Sequence, residues 1–208
     1  MDQAVTAVLA EYDARARNEQ ELMREVTAGT VARRLDGLLL HVGPETGGLL
    51  NLLVKEAGAR SILEVGTSYG YSTVWLAEAA RETGGKVVTL EVAGYKAEYA
   101  RSRLAQAGLG EVVDFRVGDA RTTLAALAGP FEFVLLDPWK DLYIACFDLF
   151  YPKLAPGATV VADNMVFPEM SLAAATAYRR HVRATPGMSS VLLPVGSGIE
   201  VSRFRADP

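Results

Sequence analysis

The sequence predicts an α/β protein: a mostly parallel, seven-stranded sheet with helices on both faces and an antiparallel hairpin at its C-terminal end. Three observations predict it. Five short apolar runs recur between Ser61 and Asp163, each bounded by Gly, Pro or Asp, which is how strands buried on both faces of a parallel sheet read. Helical segments separate these runs, as in right-handed βαβ units. The last two runs, SSVLLPVG and GIEVSRF, are separated only by a Gly-Ser-Gly turn, too short for a crossover and right for a hairpin.

The elements follow in order. Up to about Val54 the chain reads as helical decoration ahead of the core, with apolar islands at Leu9, Tyr12, Leu22, Val26 and Leu38 to Leu40, punctuated by Gly29, Gly37, Gly43 and Pro44. Tyr12, Met23 and Leu40 are its candidates to face a substrate, and an amphipathic decoration that only protects the core or supports a dimer is the equal alternative. SILEVG (61–66) is the first core strand, followed by the helical STVWLAEAARE. KVVTLE (86–91) is the second, followed by YKAEYARSRLAQAG. VVDFRVGD (112–119) leads to a short helix near Thr122 to Leu127, and FEFVLLD (131–137) to a helix from about Lys140 to Lys153. ATVVAD (158–163) precedes the helical LAAATAYRRHVR. All of it is expected to form one domain over 1–208.

Composition narrows the function. With 208 residues, half of them hydrophobic and 22% charged, the chain suits one sizeable core rather than a disordered segment. A balance of 21 basic to 25 acidic residues argues against non-specific nucleic-acid binding, which relies on Lys and Arg neutralising phosphates. The single cysteine, Cys146, reads as a small buried hydrophobe and suits a reducing compartment. The N-terminus does not read as a signal peptide, and no run approaches the roughly 20 apolar residues of a spanning helix. A cytoplasmic protein without a membrane partner is expected.

In open α/β sheets ligands bind outside the carboxyl ends of the strands. There the sequence places Glu64 and Gly66, then Glu91, Asp119 and Asp137, then Asp163 with Asn164. Each of the five core strands delivers an acid to one edge, and a buried carboxylate is costly unless paired or bound. The first loop, EVGTSYGYS, fails the dinucleotide fingerprint, because Ser68 and Tyr71 stand where its second and third glycines belong. Gly66 and Gly70 instead form G-x-x-x-G, which favours a ligand with an adenosine and no phosphates. Glu91, 25 residues after Gly66, is placed to accept ribose hydroxyls. Asp137, Asp163 and Asn164 offer only oxygen, the ligand set of a hard cation such as Mg²⁺; Asp137 and Asp163 read equally well as helix N-caps. Lys140 is either a general base with a lowered pKa or a surface lysine in a first helical turn. Trp139 is placed to stack on an adenine or a phenol, or to cap the core. His41 is placed at a cofactor entrance, and His181 reads as a surface residue.

The segments HVGPETGG, LEVGTSYGYS, VTLE, VGDA, LLDPWKDLY and ADN together resemble the cation-dependent O-methyltransferases, the group of catechol and caffeoyl-CoA O-methyltransferases and their bacterial relatives. The resemblance runs from about Leu40 to Phe204, and its most specific element is LLDPWKDLY followed by Asp163-Asn164. It implies a class I, Rossmann-like methyltransferase fold using S-adenosylmethionine and a divalent cation, most simply Mg²⁺, on a small phenolic, catechol-type substrate. It implies Asp137, Asp163 and Asn164 as metal ligands and Lys140 as the base. Val42, Glu64, Gly66, Tyr69, Ser72, Glu91, Asp119, Ala120, Asp137 and Trp139 are implied around the cofactor, and a homodimer follows from the bacterial relatives. Two departures stand out. Pro138 replaces the His of the catechol enzymes, and VLLPVG lacks the late-strand glutamate of the mammalian ones, leaving Glu200 and Glu169 as substitutes. The alternatives are a metal-independent methyltransferase, whose activity would survive EDTA, and a non-catalytic cofactor-binding scaffold.

Overall fold

The computed structural model describes residues 1–24 and 37–206. Helix α1 (Gln3–Arg24) and helix α2 (Pro44–Glu56) precede the sheet. The sheet strands are β1 (Ser61–Val65), β2 (Lys86–Glu91), β3 (Val113–Val117), β4 (Phe131–Leu136), β5 (Leu154–Ala162), β6 (Met188–Leu193) and β7 (Ile199–Phe204). Between them run α3 (Tyr71–Thr83), α4 (Gly94–Gln106), α5 (Ala120–Ala126), α6 (Tyr143–Phe150) and α7 (Leu172–Ala184). The strand order is β3-β2-β1-β4-β5-β7-β6. The first five strands are parallel, and β7 joins β5 and β6 antiparallel. The order reverses between β1 and β4, which is where such a sheet opens a crevice for a ligand.

The expected elements form, with physical differences at their ends. The helix foreseen over Lys140 to Lys153 is shorter, because single 3-10 turns occupy 140–142 and 151–153 on either side of α6. Pro152 lies in the second of these turns and lacks the N–H that would continue the helix. Strand β5 begins at Leu154, earlier than its apolar run, with a register shift where it meets β4 between Phe131 and Phe133. The C-terminal hairpin connects through Pro194–Gly198 rather than through the three-residue turn alone. Two apolar cores flank the sheet, one including Leu50, Val74, Ile62 and Phe133, the other Leu63, Val134, Phe147 and Tyr178. Cys146 is buried in the second, as expected.

Helix α1 is tied to the sheet edge by specific contacts. Tyr12 Oη donates to the Tyr69 carbonyl at 2.5 Å, and Tyr71 Oη donates to Asp13 Oδ1 at 3.0 Å. Glu19 accepts from the Leu39 backbone N–H at 2.7 Å. Tyr12 is therefore fully buried against Tyr71 and Tyr99 and does not face a substrate as the sequence suggested. Its hydroxyl needs a buried acceptor, and the loop after β1 supplies one. Leu40 is exposed. The side chains of Leu22 and Met23, and all of Val26 and Gly29, lie outside the described residues. No helix among the described residues is long and apolar enough to cross a membrane.

Candidate active site

The site grows from five strand ends. At the end of β1, Glu64 is fully buried and accepts three hydroxyls at 2.6 Å each, from Ser72, Thr73 and Thr89. Thr89 spends its only hydrogen on Glu64, so the 2.5 Å contact between Thr67 and Thr89 has Thr67 as donor. Burial pushes the Glu64 carboxyl up to about 7 although all three hydroxyls favour its charged form. Glu64 thus holds the loop from inside, and Ser72, its partner, lines the cleft.

Glycine is required at the turn itself. Gly66 has φ 103°, and a side chain there would collide with the Asp137 carbonyl. This contact brings the β1 loop against the end of β4. Ser68 follows in the left-handed region (φ 48°), and its N–H donates to Glu91 Oε2 at 2.7 Å. The other Glu91 oxygen accepts from Ala93 N at 2.9 Å, so each oxygen keeps a further lone pair for a ligand. Val42 and His41 close the opposite wall of the cleft. His41 Nδ1 accepts from Gly43 N at 3.0 Å, and burial lowers the ring's pKa; the neutral ring then carries its proton on Nε2.

Other expected cofactor residues contribute in different ways. Tyr69 lines the cleft, but its ring packs among Tyr95, Tyr99 and the Arg15 guanidinium, which lies 4.2 Å from the ring centroid. Asp119 is exposed and caps α5, accepting from the N–H groups of Arg121 and Thr122. Hydrogen bonding to Arg121 holds its carboxyl down at about 2. Ala120 opens that helix, and Trp139 is 61% exposed on the loop after β4. Asp137 and Asp163, in contrast, cap no helix: α6 and α7 are preceded by Leu142 and Ser171.

Asp137, Asp163, Asn164 and Lys140 come together as the spacing implied. Asp137 N donates to the Val65 carbonyl at 2.8 Å and Asp163 N to the Leu136 carbonyl at 3.3 Å, so adjacent strand ends lock both acids in place. Asp163 is 1% exposed, and its Oδ1 has no hydrogen-bond partner among the described residues. Asn164 takes up φ 53°, a left-handed conformation that Asn tolerates better than most residues. Its Oδ1 accepts from Lys140 Nζ at 3.1 Å, and Nζ lies 3.5 Å from Asp137 Oδ1. Lys140 is not the surface lysine of the alternative reading, since its side chain is only 12% exposed. Burial raises the pKa of both acids, and the charge of Asp137 raises that of Asp163 further; burial lowers that of Lys140. Three protein oxygens, one of them buried without a partner, fit a hard divalent cation.

Sequence reasoning missed Tyr143, whose hydroxyl sits within this cluster. It also missed what holds Glu200. That side chain is fully buried, bonded by Arg179, Arg183 and Ser190. Glu200 cannot replace the late-strand glutamate, because it points into the α7 interface. Glu169 is exposed in the turn before α7.

An open parallel sheet with a ligand crevice at its strand ends and a carboxylate-lysine cluster beside it describes the class I α/β enzymes. The comparisons are more specific. The family model described as O-methyltransferase matches residues 13–204, and the chain belongs to that family. It is 40% identical over 128 residues to a catechol O-methyltransferase of Mycobacterium tuberculosis, an alignment spanning 61% of this chain and 58% of that protein. It is 27% identical over 206 residues to caffeoyl-CoA O-methyltransferase 1 of Arabidopsis thaliana, covering 89% of this chain and 78% of the relative. Among solved structures, an O-methyltransferase from Bacillus cereus in complex with SAH superimposes with a TM-score of 0.76 at 29% identity, over 99% of this chain and 92% of that one.

Proposed function

We propose that the protein transfers a methyl group from S-adenosylmethionine to the oxygen of a small phenolic, catechol-type substrate, with a divalent cation, most simply Mg²⁺, held by Asp137, Asp163 and Asn164. One observation carries the metal-dependent reading: the buried, unpartnered Oδ1 of Asp163 lies in the same cluster as two further oxygen donors and a desolvated lysine. A metal-free methyltransferase or a scaffold has no use for that combination.

The cofactor supplies an electrophilic sulfonium methyl, and the cation lowers the cost of the phenolate. A simple phenol titrates near 10, so only about one in 10³ is ionised at pH 7. Full ionisation therefore offsets about 4 kcal/mol of barrier. Lys140, its pKa lowered by burial, takes the phenolic proton onto Nζ. Glu91 offers its remaining lone pairs to the ribose. The Gly66 turn and Ser72, fixed by Glu64, hold the methionine end near Val42. What remains is alignment, a positioning effect.

The acceptor's body meets an apolar rim. Trp139, Val166, Phe167 and Met170 are exposed on the loops after β4 and β5, Met170 by 83%. Such a rim suits a flat apolar ring. With Glu200 turned away, no late-strand acid grips a second hydroxyl. The test is methyl transfer from labelled S-adenosylmethionine to a panel of catechols, including dihydroxybenzoate and caffeate, with Mg²⁺ or with EDTA. Product that requires the metal is expected. Product of equal yield in EDTA would assign the site to the metal-free class.

A further inference from the structure

We infer that Tyr143 is a positioning residue, whose hydroxyl holds the Lys140 amine in place and ties it to both acid-bearing strand ends. The inference rests on the metal-dependent reading above.

Tyr143 is the first residue of α6 and is fully buried. Its ring packs edge-on against Tyr178, with centroids 5.4 Å apart at 88°. Phenylalanine would fill the same space, so packing alone does not require the hydroxyl. Yet that hydroxyl is the hub of the cluster. It accepts a hydrogen bond from Lys140 Nζ. Its single hydrogen is directed between the Asp163 carbonyl at 3.2 Å and Asp137 Oδ1 at 3.3 Å. One oxygen thus touches the lysine, the end of β4 and the end of β5. The amine also lies 4.0 Å from the centroid of the Tyr143 ring, a favourable place for a cation.

The lysine's other contacts are of a different kind. Nζ reaches Asn164 Oδ1 at 3.1 Å and Asp137 Oδ1 at 3.5 Å, and both are oxygens that a cation in this site would claim. Among the described residues, Tyr143 Oη is then the contact that stays with Lys140 when those oxygens turn to the metal. Without it, a four-carbon side chain would sample several rotamers, and a small misplacement of a reacting group costs rate rather than binding.

The test compares wild type, Tyr143→Phe, Lys140→Met and the double variant. Tyr143→Phe is expected to lower kcat about tenfold, a size ordinary for a lost positioning contact. KM for both substrates and the Mg²⁺ Kd from calorimetry should stay within about twofold, since binding contacts are intact. In the Lys140→Met background the same change should cost nothing further, because Tyr143 acts through the lysine. In the metal-free protein, amine-reactive labelling mapped by mass spectrometry should rise at Lys140 in Tyr143→Phe and at no other lysine. A merely structural tyrosine would lower Tm while leaving kcat at 25 °C and Lys140 labelling unchanged, and that result overturns the inference. Should Tyr143→Phe fail to fold, labelling of wild type with and without Mg²⁺ decides. Lys140 that stays protected with metal bound supports the tether, and Lys140 that becomes freely labelled overturns it. If wild type is indifferent to EDTA the metal-dependent reading falls, and if Lys140→Met keeps full activity the base role of Lys140 falls; either result takes the inference with it.

Discussion

Two buried carboxylates hang from neighbouring strands of the same sheet. Glu200 on β7 is in register with Ala162 on β5, and Asp163 is the next residue along. Both acids are removed from water, yet the chain compensates only one of them fully. Glu200 receives two arginines and a serine hydroxyl, with Arg183 Nη2 at 2.6 Å and Arg179 Nε at 3.1 Å. Asp163 receives no side-chain donor on Oδ1, and the basic side chain that the described residues place in its cluster, Lys140, is bonded to Tyr143 and Asn164. The sheet can evidently pair a buried acid where the acid's task is structural. An acid left unpaired at the end of the neighbouring strand is set up for something that binds from outside.

The comparison breaks most sharply at Asp163. Asp163→Asn, and likewise Asp137→Ala, should abolish Mg²⁺ binding by calorimetry and lower methyl transfer at least about 10³-fold, as removal of a metal's ionising effect on a phenol requires. Asp163→Asn should at the same time keep or raise Tm in EDTA, because it removes a buried charge without a partner. An unchanged Mg²⁺ Kd would mean that the two acids are alike after all.

Lys140→Met is the next largest effect. Loss of a general base costs about 10²- to 10⁴-fold in turnover, with little change in KM. Glu200→Gln should do the reverse. Leaving Arg179 and Arg183 without their acid should cost about 3 kcal/mol of unfolding free energy, the low end for a broken buried pair because both arginines keep some water contact. Activity per folded molecule should hold. Urea titration and initial rates on the same preparation separate the two variants.

These contrasts also show what the sequence made legible. The strands were readable because β1, β4 and the end of β5 are buried on both faces and so appear as unbroken apolar runs. Asp137 and Asp163 are readable because each directly follows such a run. The compensating partners were not. Arg179 and Arg183 lie on the polar-looking face of α7, and nothing local says that this face covers β7. Tyr12 bonds a carbonyl 57 positions away and Glu19 an N–H 20 positions away. Their signal is long-range contact, which periodicity does not carry. The N-cap role of Asp119 does carry a local signal, Asp-Ala-Arg-Thr opening a helix, which its place in the series of strand-end acids masks. Tyr143 carries no local signal beyond the motif it shares with Lys140.

Glu64 offers the finest test, because it is a third way of keeping a buried acid: neutral hydroxyls instead of cations or a metal. Its carboxyl is held up at about 7 against an ordinary 4.5, chiefly by burial. The sign follows from proton binding. Between about pH 4.5 and 7 the unfolded chain has released this proton and the folded one has not, so stability falls as pH rises through that window and levels off above it. The full difference corresponds to about 3 kcal/mol at most, at 1.36 kcal/mol per unit. Asp137 and Asp163 shift in the same direction, so the diagnostic quantity is the difference between wild type and Glu64→Gln. The variant keeps an acceptor for two of the three hydroxyls and has no proton to bind. Its unfolding free energy, measured by urea titration in EDTA from pH 5 to 8, should fall less steeply with pH than that of wild type. Parallel curves would mean that Ser72, Thr73 and Thr89 stabilise the carboxylate enough to cancel its burial, and that Glu64 is ionised in the folded protein throughout the range.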